Sequence, residues 1–257
     1  MKERRKTALV TGGGKRIGRA IVEDLSAHGF GVAIHANRSS LTADQMAQDI
    51  RKKGGRAHVV RGDLRSLDTL GNLVEQAASQ LGPLDLLVNN ASIFERDEAD
   101  HFQPALWDAH FDIHLKAPVI LTQHFARQIA DSDDNDKGLV VNIIDQRVWA
   151  LTPHFFSYTL SKAALWTATQ TMAQAFAPDI RVNAIGPGPT LANERQKPAD
   201  FRRQSDAVLL RHGPELGEFG RTIRYLYETP SLTGQMIALD GGQHLAWETP
   251  DVANIPE

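Results

Sequence analysis

The chain has 257 residues, of which 42% are hydrophobic and 23% are charged, and its formal net charge is −3. This is the composition of an ordinary globular protein, and the apolar content excludes intrinsic disorder. The slight acidic excess argues against a dedicated nucleic-acid binder, which usually carries a basic excess. Cysteine is absent, which excludes disulfide bonds, thiolate catalysis and cysteine-bound metals.

Neither a signal peptide nor a membrane span is expected. After the charged start Lys2–Lys6, the only apolar residues before the glycines are Ala8, Leu9 and Val10, whereas a secretory signal needs about 7–15 apolar residues. No run approaches the roughly 18 apolar residues of a membrane-spanning helix. We therefore expect a cytoplasmic protein without a membrane partner.

Short β-branched runs alternate with longer segments of helical periodicity. This alternation predicts a single α/β domain over residues 1–257, a doubly wound parallel sheet of about seven strands. Ligands of such sheets bind beyond the carboxyl ends of the strands. The predicted strands are Thr7–Val10, Val32–His35, His58–Val60, Leu84–Val88, Leu139–Ile144, Arg181–Ile185 and Met236–Leu239. The predicted helices are Ile17–His28, Ala43–Lys53, Leu67–Gln80, Ala105–Ile129, Tyr158–Phe176 and Pro214–Leu226.

A glycine-rich turn follows the first predicted strand. Residues Thr11–Gly18 read TGGGKRIG, and glycines at a strand-to-helix turn let the backbone approach a pyrophosphate. A plain tight turn is the alternative, but the position after the first strand favours a dinucleotide. The residues of this turn that we expect to bind the cofactor are Gly12, Lys15, Arg16, Ile17 and Gly18.

The end of the second strand indicates which dinucleotide is bound. A NAD-preferring site often carries an acidic residue there, but this chain has His35, Asn37, Arg38 and Ser39. Because a guanidinium binds phosphate through charge-assisted hydrogen bonds, Arg38 and Ser39 predict NADPH, with a solvated loop arginine as the alternative. The further contacts expected are Asp63 with the adenine amine, Leu64 with the adenine ring, and Asn90 and Ala91 with the cofactor.

A tyrosine and a lysine four residues apart begin a later predicted helix. Tyr158 and Lys162 share one face of it, and a nearby ammonium favours the phenolate, lowering the pKa of Tyr158 from about 10. Tyr158 would then donate a proton near neutral pH. The spacing also arises by chance, but here it follows an apolar strand that ends in Asp145.

Together these motifs resemble the short-chain dehydrogenase/reductase superfamily. The matching segments, in the family's order from Lys6 to about Leu245, are Thr11–Gly18, Asn89–Ala91, Tyr158 with Lys162, and Arg181–Gly188. The resemblance implies a Rossmann fold, a tyrosine–lysine hydride-transfer site and frequent homotetramers. It also implies that Lys162 holds the nicotinamide ribose and that Pro187 and Gly188 contact the cofactor.

Departures from the general pattern resemble the pteridine reductases and the bacterial dihydromonapterin and dihydrofolate reductases. The usual serine before the tyrosine is Asp145, the middle glycine of the loop is Arg16, and the glycine after Asn-Asn-Ala is Ser92, followed by Phe94. The resemblance implies that Arg16 contacts phosphate and pterin, that Ser92 contacts substrate or cofactor, and that Phe94 stacks on the pterin. Asp145 takes the catalytic aspartate position.

The chemistry agrees with a pterin or folate substrate. A ketone reductase needs a neutral hydroxyl donor, because an ionised carboxylate opposes the developing alkoxide charge. Reduction of a C=N bond needs a proton at nitrogen, and a carboxyl group partnered with Tyr158 could relay it. Core packing of Phe94, and a helix cap or inactive remnant at Asp145, are the alternatives.

One family position is altered, and two rival functions stay open. His114 stands where many members carry an asparagine that holds a water near the lysine, and an imidazole could serve there. His110 and His114 could also share a metal, but no third ligand is evident and no metal is expected. The rivals are a carbonyl or 3-oxoacyl-thioester reductase and a catalytically silent NADPH-binding sensor or scaffold.

The segment Pro187–His212 is rich in proline and charge and has weak periodicity. A loop of that length is usually functional or mobile, so we expect a lid on the substrate side. Together with the tail after Gly242, it should decide which pterin side chain is accepted.

Overall fold

The fold is that of a computed structural model, which describes residues 6–37, 40–132, 137–192, 195–249 and 253. Seven strands form one sheet in which every neighbouring pair is parallel. The strands are β1 (Thr7–Val10), β2 (Gly31–Ala36), β3 (Ala57–Arg61), β4 (Leu86–Asn89), β5 (Gly138–Ile143), β6 (Ile180–Pro187) and β7 (Met236–Leu239). Their order is β3-β2-β1-β4-β5-β6-β7, which confirms the predicted doubly wound class.

Helices connect the strands and cover both faces of the sheet. They are α1 (Arg16–Ala27), α2 (Ser40–Lys52), α3 (Gly71–Leu81), α4 (Pro104–Phe111), α5 (Ala117–Ala130), α6 (Phe156–Ala175), α7 (Pro198–Asp206) and α8 (Leu216–Glu228). Single 3₁₀ turns lie at Leu67–Thr69, Gln146–Val148 and Gln243–Leu245. Within the described ranges, no helix is long and apolar enough to cross a membrane.

The strands are buried on both faces, which explains their nearly continuous apolar sequences. On β1, Ala8 and Val10 pack with apolar residues of α1, α2 and α8. Leu9, between them, points to the opposite face and packs with α3, α5 and α6, because successive side chains of a strand alternate between faces. Each face of the sheet therefore has its own core.

The predicted helix Ala105–Ile129 is interrupted by a π-helical turn, Asp112–Lys116, between α4 and α5. Pro118 has no N–H to donate to the carbonyl four residues earlier, and its ring crowds that carbonyl. A wider π turn accommodates this defect, and such turns often occur at functional sites. The turn contains His114.

The prediction that Pro187–His212 is a loop is wrong in one respect, because this segment contains the nine-residue helix α7. Pro198 begins this helix and Asp200 lies in its first turn, both favourable at a helix N-terminus. None of its residues is buried. It therefore lacks the apolar stripe on which recognition of a helix from periodicity depends.

Two glycines near helix starts should respond oppositely to substitution. A Cβ on Gly18 would lie 2.3 Å from the carbonyl oxygen of Gly12 and 2.5 Å from Nδ2 of Asn90, whereas one on Gly217 meets nothing within 4 Å. Gly18→Ala should lower the free energy of unfolding by about 1–3 kcal/mol through overpacking. Gly217→Ala should leave it unchanged or raise it by up to about 1 kcal/mol. Urea unfolding of both variants tests this, and equal effects would contradict it.

Candidate active site

All strand carboxyl ends lie on one edge of the sheet, and the strand order reverses between β1 and β4. That reversal opens the crevice in which ligands of doubly wound sheets bind. The loops on its two sides are tied together: Asn90 Nδ2 donates to the carbonyl of Thr11 at 2.9 Å. Thr11 Oγ1 accepts from the backbone N–H groups of Asn90 at 2.9 Å and Ala91 at 3.0 Å. Gly12 follows at φ +61°, a conformation that glycine adopts readily.

His35 holds the glycine turn through hydrogen bonds of its ring. Its ring is 2% exposed; Nδ1 accepts from the N–H of Gly12 at 3.1 Å and Nε2 donates to the carbonyl of Gly62 at 3.0 Å. Desolvation lowers the pKa of His35, and its two partners assign the neutral Nε2–H tautomer. Both nitrogens have protein partners, so the ring shapes the turn.

Arg16 reaches from the glycine turn to the segment after β6. Its backbone has φ +50°, a left-handed conformation that costs a non-glycine residue about 1–2 kcal/mol. The guanidinium donates to the carbonyls of Leu191 at 3.1 Å and Ala192 at 2.9 Å. Lys15, before it, is exposed, and Ile17, after it, packs on the core. The side chain therefore links the two loops that flank the crevice.

The remaining predicted cofactor residues at the ends of β2 and β6 lie on the same sheet edge. Asn37 is exposed directly after β2. Arg38 and Ser39, from which we predict NADPH, lie outside the described residues. Pro187 ends β6, and the N–H of Gly188 donates to the carbonyl of Leu239 at 2.8 Å.

After β3, Asp63 and Leu64 have protein partners of their own. The carboxylate of Asp63 accepts from Nη2 of Arg65 at 2.8 Å and from the N–H of Arg65 at 3.0 Å. Leu64 is 5% exposed and belongs to the core on the α3 face. The expected adenine contacts of these two residues stay predictions.

At the end of β5, Asp145 and Tyr158 form a hydrogen-bonded pair. The Tyr158 hydroxyl donates to Oδ2 of Asp145 at 2.9 Å. The other oxygen, Oδ1, accepts from the N–H of Arg147 at 2.8 Å and caps the 3₁₀ turn that follows the strand. Asp145 is thus both a cap and a partner of Tyr158, the two roles that its position in the sequence left open.

The predicted lowering of the Tyr158 pKa is wrong. Tyr158 is 6% exposed, and burial, followed by the charge and hydrogen bond of Asp145, raises its pKa well above 10. Lys162 donates to the carbonyl of Ile143 at 2.8 Å, and its Nζ lies 5.8 Å from the centre of the Tyr158 ring. The carboxylate therefore acts on the phenolic proton itself, while the ammonium is bonded elsewhere.

Lys162 is buried, with 3% of its surface exposed. Burial lowers the pKa of Lys162 to about 8, and the charge of Asp145 opposes this shift. The ammonium consequently stays mostly protonated at neutral pH, in a region with little solvent to screen it.

His114 links the loop after β4 to α6. Nε2 accepts from the N–H of Ile93 at 3.2 Å and lies 3.0 Å from Oγ of Ser92. Nδ1 donates to Oγ of Ser161 at 2.8 Å, and that hydroxyl donates to the carbonyl of Tyr158 at 2.7 Å. Burial, with the charge of Lys162, lowers the pKa of His114 well below 6.5. The ring is neutral, and both nitrogens are engaged.

A second buried series of hydrogen bonds lies beside that of His114. The sequence did not predict it. Nδ1 of His110 lies 2.7 Å from Oγ of Ser157, whose hydroxyl donates to the carboxylate of Asp97. The rings of His110 and His114 stack with centres 5.4 Å apart. Nowhere in the described ranges do three or more potential ligands form a metal site. The position of Ser157 directly before Tyr158 was the available signal.

Of the predicted substrate residues, Phe94 and Asp145 contact Tyr158, whereas Arg16 bonds the segment after β6. Phe94 contacts the Tyr158 ring edge-to-face, with ring centres 4.8 Å apart. It stacks on Phe155 with ring centres 4.1 Å apart and an interplanar angle of 9°. Phe155 therefore closes one face of Phe94 to a flat ligand. Ser92 is exposed, and its Oγ lies 3.0 Å from Nε2 of His114.

Arg147 also belongs to this group, although the sequence analysis missed it. Its guanidinium carbon lies 5.5 Å from the ring centre of Phe94, 5.1 Å from that of Phe155 and 6.0 Å from that of Tyr158. Its Nη1 is buried and has no hydrogen-bond partner among the described residues. The signal was its position two residues after Asp145, on the same loop.

Comparison with known proteins identifies several relatives. A family model described as short chain dehydrogenase matches residues 6–202. The structure resembles alternative dihydrofolate reductase 1 (FolM) of Brucella suis in complex with NADP, with a TM-score of 0.93 and 60% identity over 96% of this chain and 98% of that one. The same protein of Brucella canis, complexed with NADP, has a TM-score of 0.93 and 58% identity over 98% and 100%. A 3-oxoacyl-[acyl-carrier-protein] reductase of Staphylococcus epidermidis is 26% identical over 93% of this chain and 99% of the relative.

The buried histidines should make the protein less stable in acid. Burial lowers the pKa of His35, His110 and His114 below 6.5, so the unfolded chain takes up protons first as the pH falls. The free energy of unfolding should therefore decrease from about pH 6.5 downward. Urea unfolding between about pH 7 and pH 5 measures this slope.

His114→Asn provides the control, because an amide keeps a donor and an acceptor but does not titrate in this range. Its stability should fall less steeply with acid than that of the wild type, by up to about 1.4 kcal/mol per pH unit for one proton. Identical slopes for the two proteins would show that His114 does not contribute.

Proposed function

The chain belongs to the short chain dehydrogenase family, and we propose that it is an NADPH-dependent reductase of a dihydropterin or dihydrofolate. The observation that carries this proposal is the 2.9 Å hydrogen bond from Tyr158 to Asp145, which places a carboxylate where a ketone reductase needs a neutral hydroxyl. The alternative dihydrofolate reductases of Brucella, which resemble the chain at 58–60% identity, support the same substrate class.

The crevice between β1 and β4 fits a dinucleotide. A Cβ on Gly13 would crowd Ile34 and Val22 at 3.1 Å, and one on Gly18 would meet the backbone of Gly12, so these glycines let the turn pack closely on β2 and α1. A glycine-rich turn that leads into a helix N-terminus suits a phosphate. The NADP bound to both Brucella relatives agrees with this assignment. When bound, NADPH supplies the hydride; Lys162 and Asn90 are the residues that we assign to its nicotinamide end.

The chain's own residues then deliver the proton. Tyr158 is neutral at working pH and carries its proton beside the carboxylate of Asp145, from which it can pass to the ring nitrogen of the substrate. Departure of the proton leaves a phenolate beside a carboxylate, and the charges of Lys162 and Arg147 counter that arrangement. The Tyr158–Asp145 pair is in turn refilled from solvent.

His114 is a positioning residue in this scheme. Its neutral ring joins Ile93 to Ser161, and Ser161 bonds the backbone of Tyr158. Because both ring nitrogens have protein partners, His114 fixes Tyr158 and Ser92 rather than holding a water near Lys162.

Neither rival function accounts for the site as well. A carbonyl or 3-oxoacyl-thioester reductase is represented by a relative of 26% identity, but the Asp145 carboxylate would oppose alkoxide formation beside Tyr158. A silent NADPH-binding protein would have no need for the hydrogen bond between Tyr158 and Asp145 with Lys162 buried nearby. The homotetramer and the cytoplasmic location that the sequence implies stay predictions.

A substrate panel tests the function directly. We expect NADPH oxidation with a 7,8-dihydropterin or 7,8-dihydrofolate, and little with a small ketone or a 3-oxoacyl thioester. Asp145→Ser, which recreates the ordinary ketone-reductase arrangement, should depress dihydropterin turnover. Turnover of ketones alone would establish the carbonyl alternative, and NADPH binding without turnover of any compound would establish the silent one.

Tyr158→Phe separates proton delivery from cofactor affinity. Loss of the hydroxyl should lower kcat by about 10²–10⁴-fold, the usual contribution of general acid catalysis. NADPH affinity, measured by fluorescence titration, should change by less than about twofold, because the hydroxyl acts in the transition state. Near-normal turnover in this variant would transfer the proton-donor role to Asp145.

A further inference from the structure

We propose that Arg147 is a substrate-specificity residue, whose Nη1–H group donates a hydrogen bond to an oxygen on the side chain that a dihydropterin carries beside its reducible C=N bond. This inference rests on the proposed function and names the part of the substrate that the site recognises. It assigns a role to a residue that the sequence analysis did not single out.

The first observation is an unused donor. Nη1 of Arg147 is buried and has no hydrogen-bond partner among the described residues, and no ion pair of Arg147 occurs among them either. A buried N–H without an acceptor is unfavourable, and such groups are rare in folded proteins. An acceptor supplied by a ligand would satisfy it.

The second observation is that aromatic rings hold the guanidinium in place. Its central carbon lies within 5.1–6.0 Å of the ring centres of Phe94, Phe155 and Tyr158. The guanidinium lies beside the stacked rings of Phe94 and Phe155, which accept no strong hydrogen bond from it. The rings thereby confine the side chain near Tyr158 without satisfying its donor.

The position of Arg147 indicates which part of the substrate it meets. In a 7,8-dihydropterin the reducible bond joins N5 to C6, and C6 carries the side chain. Tyr158, as proton donor, must reach N5, so residues beside Tyr158 face C6 and the first atoms attached to it. Arg147 fulfils this condition, because its guanidinium carbon lies 6.0 Å from the centre of the Tyr158 ring.

The position of the guanidinium limits the acceptor further. It lies among the rings of Phe94, Phe155 and Tyr158, so it meets atoms close to the pterin ring, and the terminal carboxylates of a folate tail lie too far out. A hydroxyl on the first side-chain carbon is within its range. Arg147 therefore favours dihydropterins with a hydroxylated side chain over those that begin with a bare methyl or methylene group.

A matched pair of substrates tests the inference. We expect the wild-type enzyme to reduce 6-hydroxymethyl-7,8-dihydropterin with a kcat/KM about tenfold higher than that for 6-methyl-7,8-dihydropterin, the effect of about one hydrogen bond to a charged group. In Arg147→Met that preference should disappear, through loss on the hydroxymethyl substrate alone. Arg147→Lys should keep part of it.

Two further measurements make the result specific. Arg96→Met is the control, because the Arg96 guanidinium is exposed and pairs with Glu98 at 2.6 Å; it should leave both substrates unchanged. Binding of 6-hydroxymethylpterin and 6-methylpterin to the NADP complex, followed by fluorescence quenching, should show the same loss of discrimination in Arg147→Met. This second readout does not depend on turnover.

The possible outcomes distinguish a failure of this inference from a failure of the proposed function. Equal loss on both substrates in Arg147→Met would assign the residue to packing or to the Tyr158–Asp145 pair, and would overturn the inference. Retained preference in that variant would overturn it as well. If the wild type reduces neither dihydropterin and binds neither pterin, the proposed function itself falls. Should Arg147→Met fail to fold, Arg147→Gln is examined in the same way.

Discussion

The hydrogen bond between Tyr158 and Asp145 governs the chemistry of this site. A phenol that donates to a carboxylate at 2.9 Å is stabilised in its protonated form, so the pair stores a proton. A serine in the place of Asp145 would instead offer a second neutral donor, suited to a carbonyl oxygen. In the proposed reaction, this one substitution at the end of β5 changes the site from one that polarises a C=O bond to one that protonates a nitrogen. The requirement that Asp145 also cap the following turn through Oδ1 fixes the carboxylate in the orientation that this chemistry needs.

The histidine at the π turn shows how a neutral ring can replace a smaller amide in the same scaffold. The N–H of Ile93 is an obligatory donor, so Nε2 of His114 must accept and Nδ1 must carry the proton. That proton goes to Ser161, whose hydroxyl then has one direction left, toward the carbonyl of Tyr158. In this series of hydrogen bonds, each donor fixes the direction of the next. Protonation of His114 would break the bond that its Nε2 accepts from the N–H of Ile93. Burial, which keeps the ring neutral, is thus a condition for the position of Tyr158.

Much of the fold and of the site could be predicted, because its signals are local in sequence. The bounds of β1 and β7 are those that the apolar runs indicate, and Asp145, Tyr158 and Lys162 are brought together as expected. The helix α7 could not be predicted, since it buries no side chain and leaves no periodic pattern. The direction of the Tyr158 pKa depends on which of two charged neighbours its hydroxyl faces, and Arg147 acquires its position from rings on distant segments. Spacing along the chain carries neither kind of information.

The cations near Tyr158 offset part of the cost of removing its proton, although burial and Asp145 keep the phenol protonated. Before transfer, two cations, Lys162 and Arg147, face one carboxylate, Asp145, in a region largely closed to solvent. Departure of the phenolic proton adds a second negative charge, so that two negative groups then face two positive ones. Groups that are fixed before the reaction and complement the charge that develops during it stabilise the transition state more than the ground state. The raised pKa of Tyr158 and the lowered pKa of Lys162 thus belong to a single arrangement. In the proposed reaction, the phenol stays protonated until a substrate nitrogen accepts the proton, and the cations lower the cost of that step.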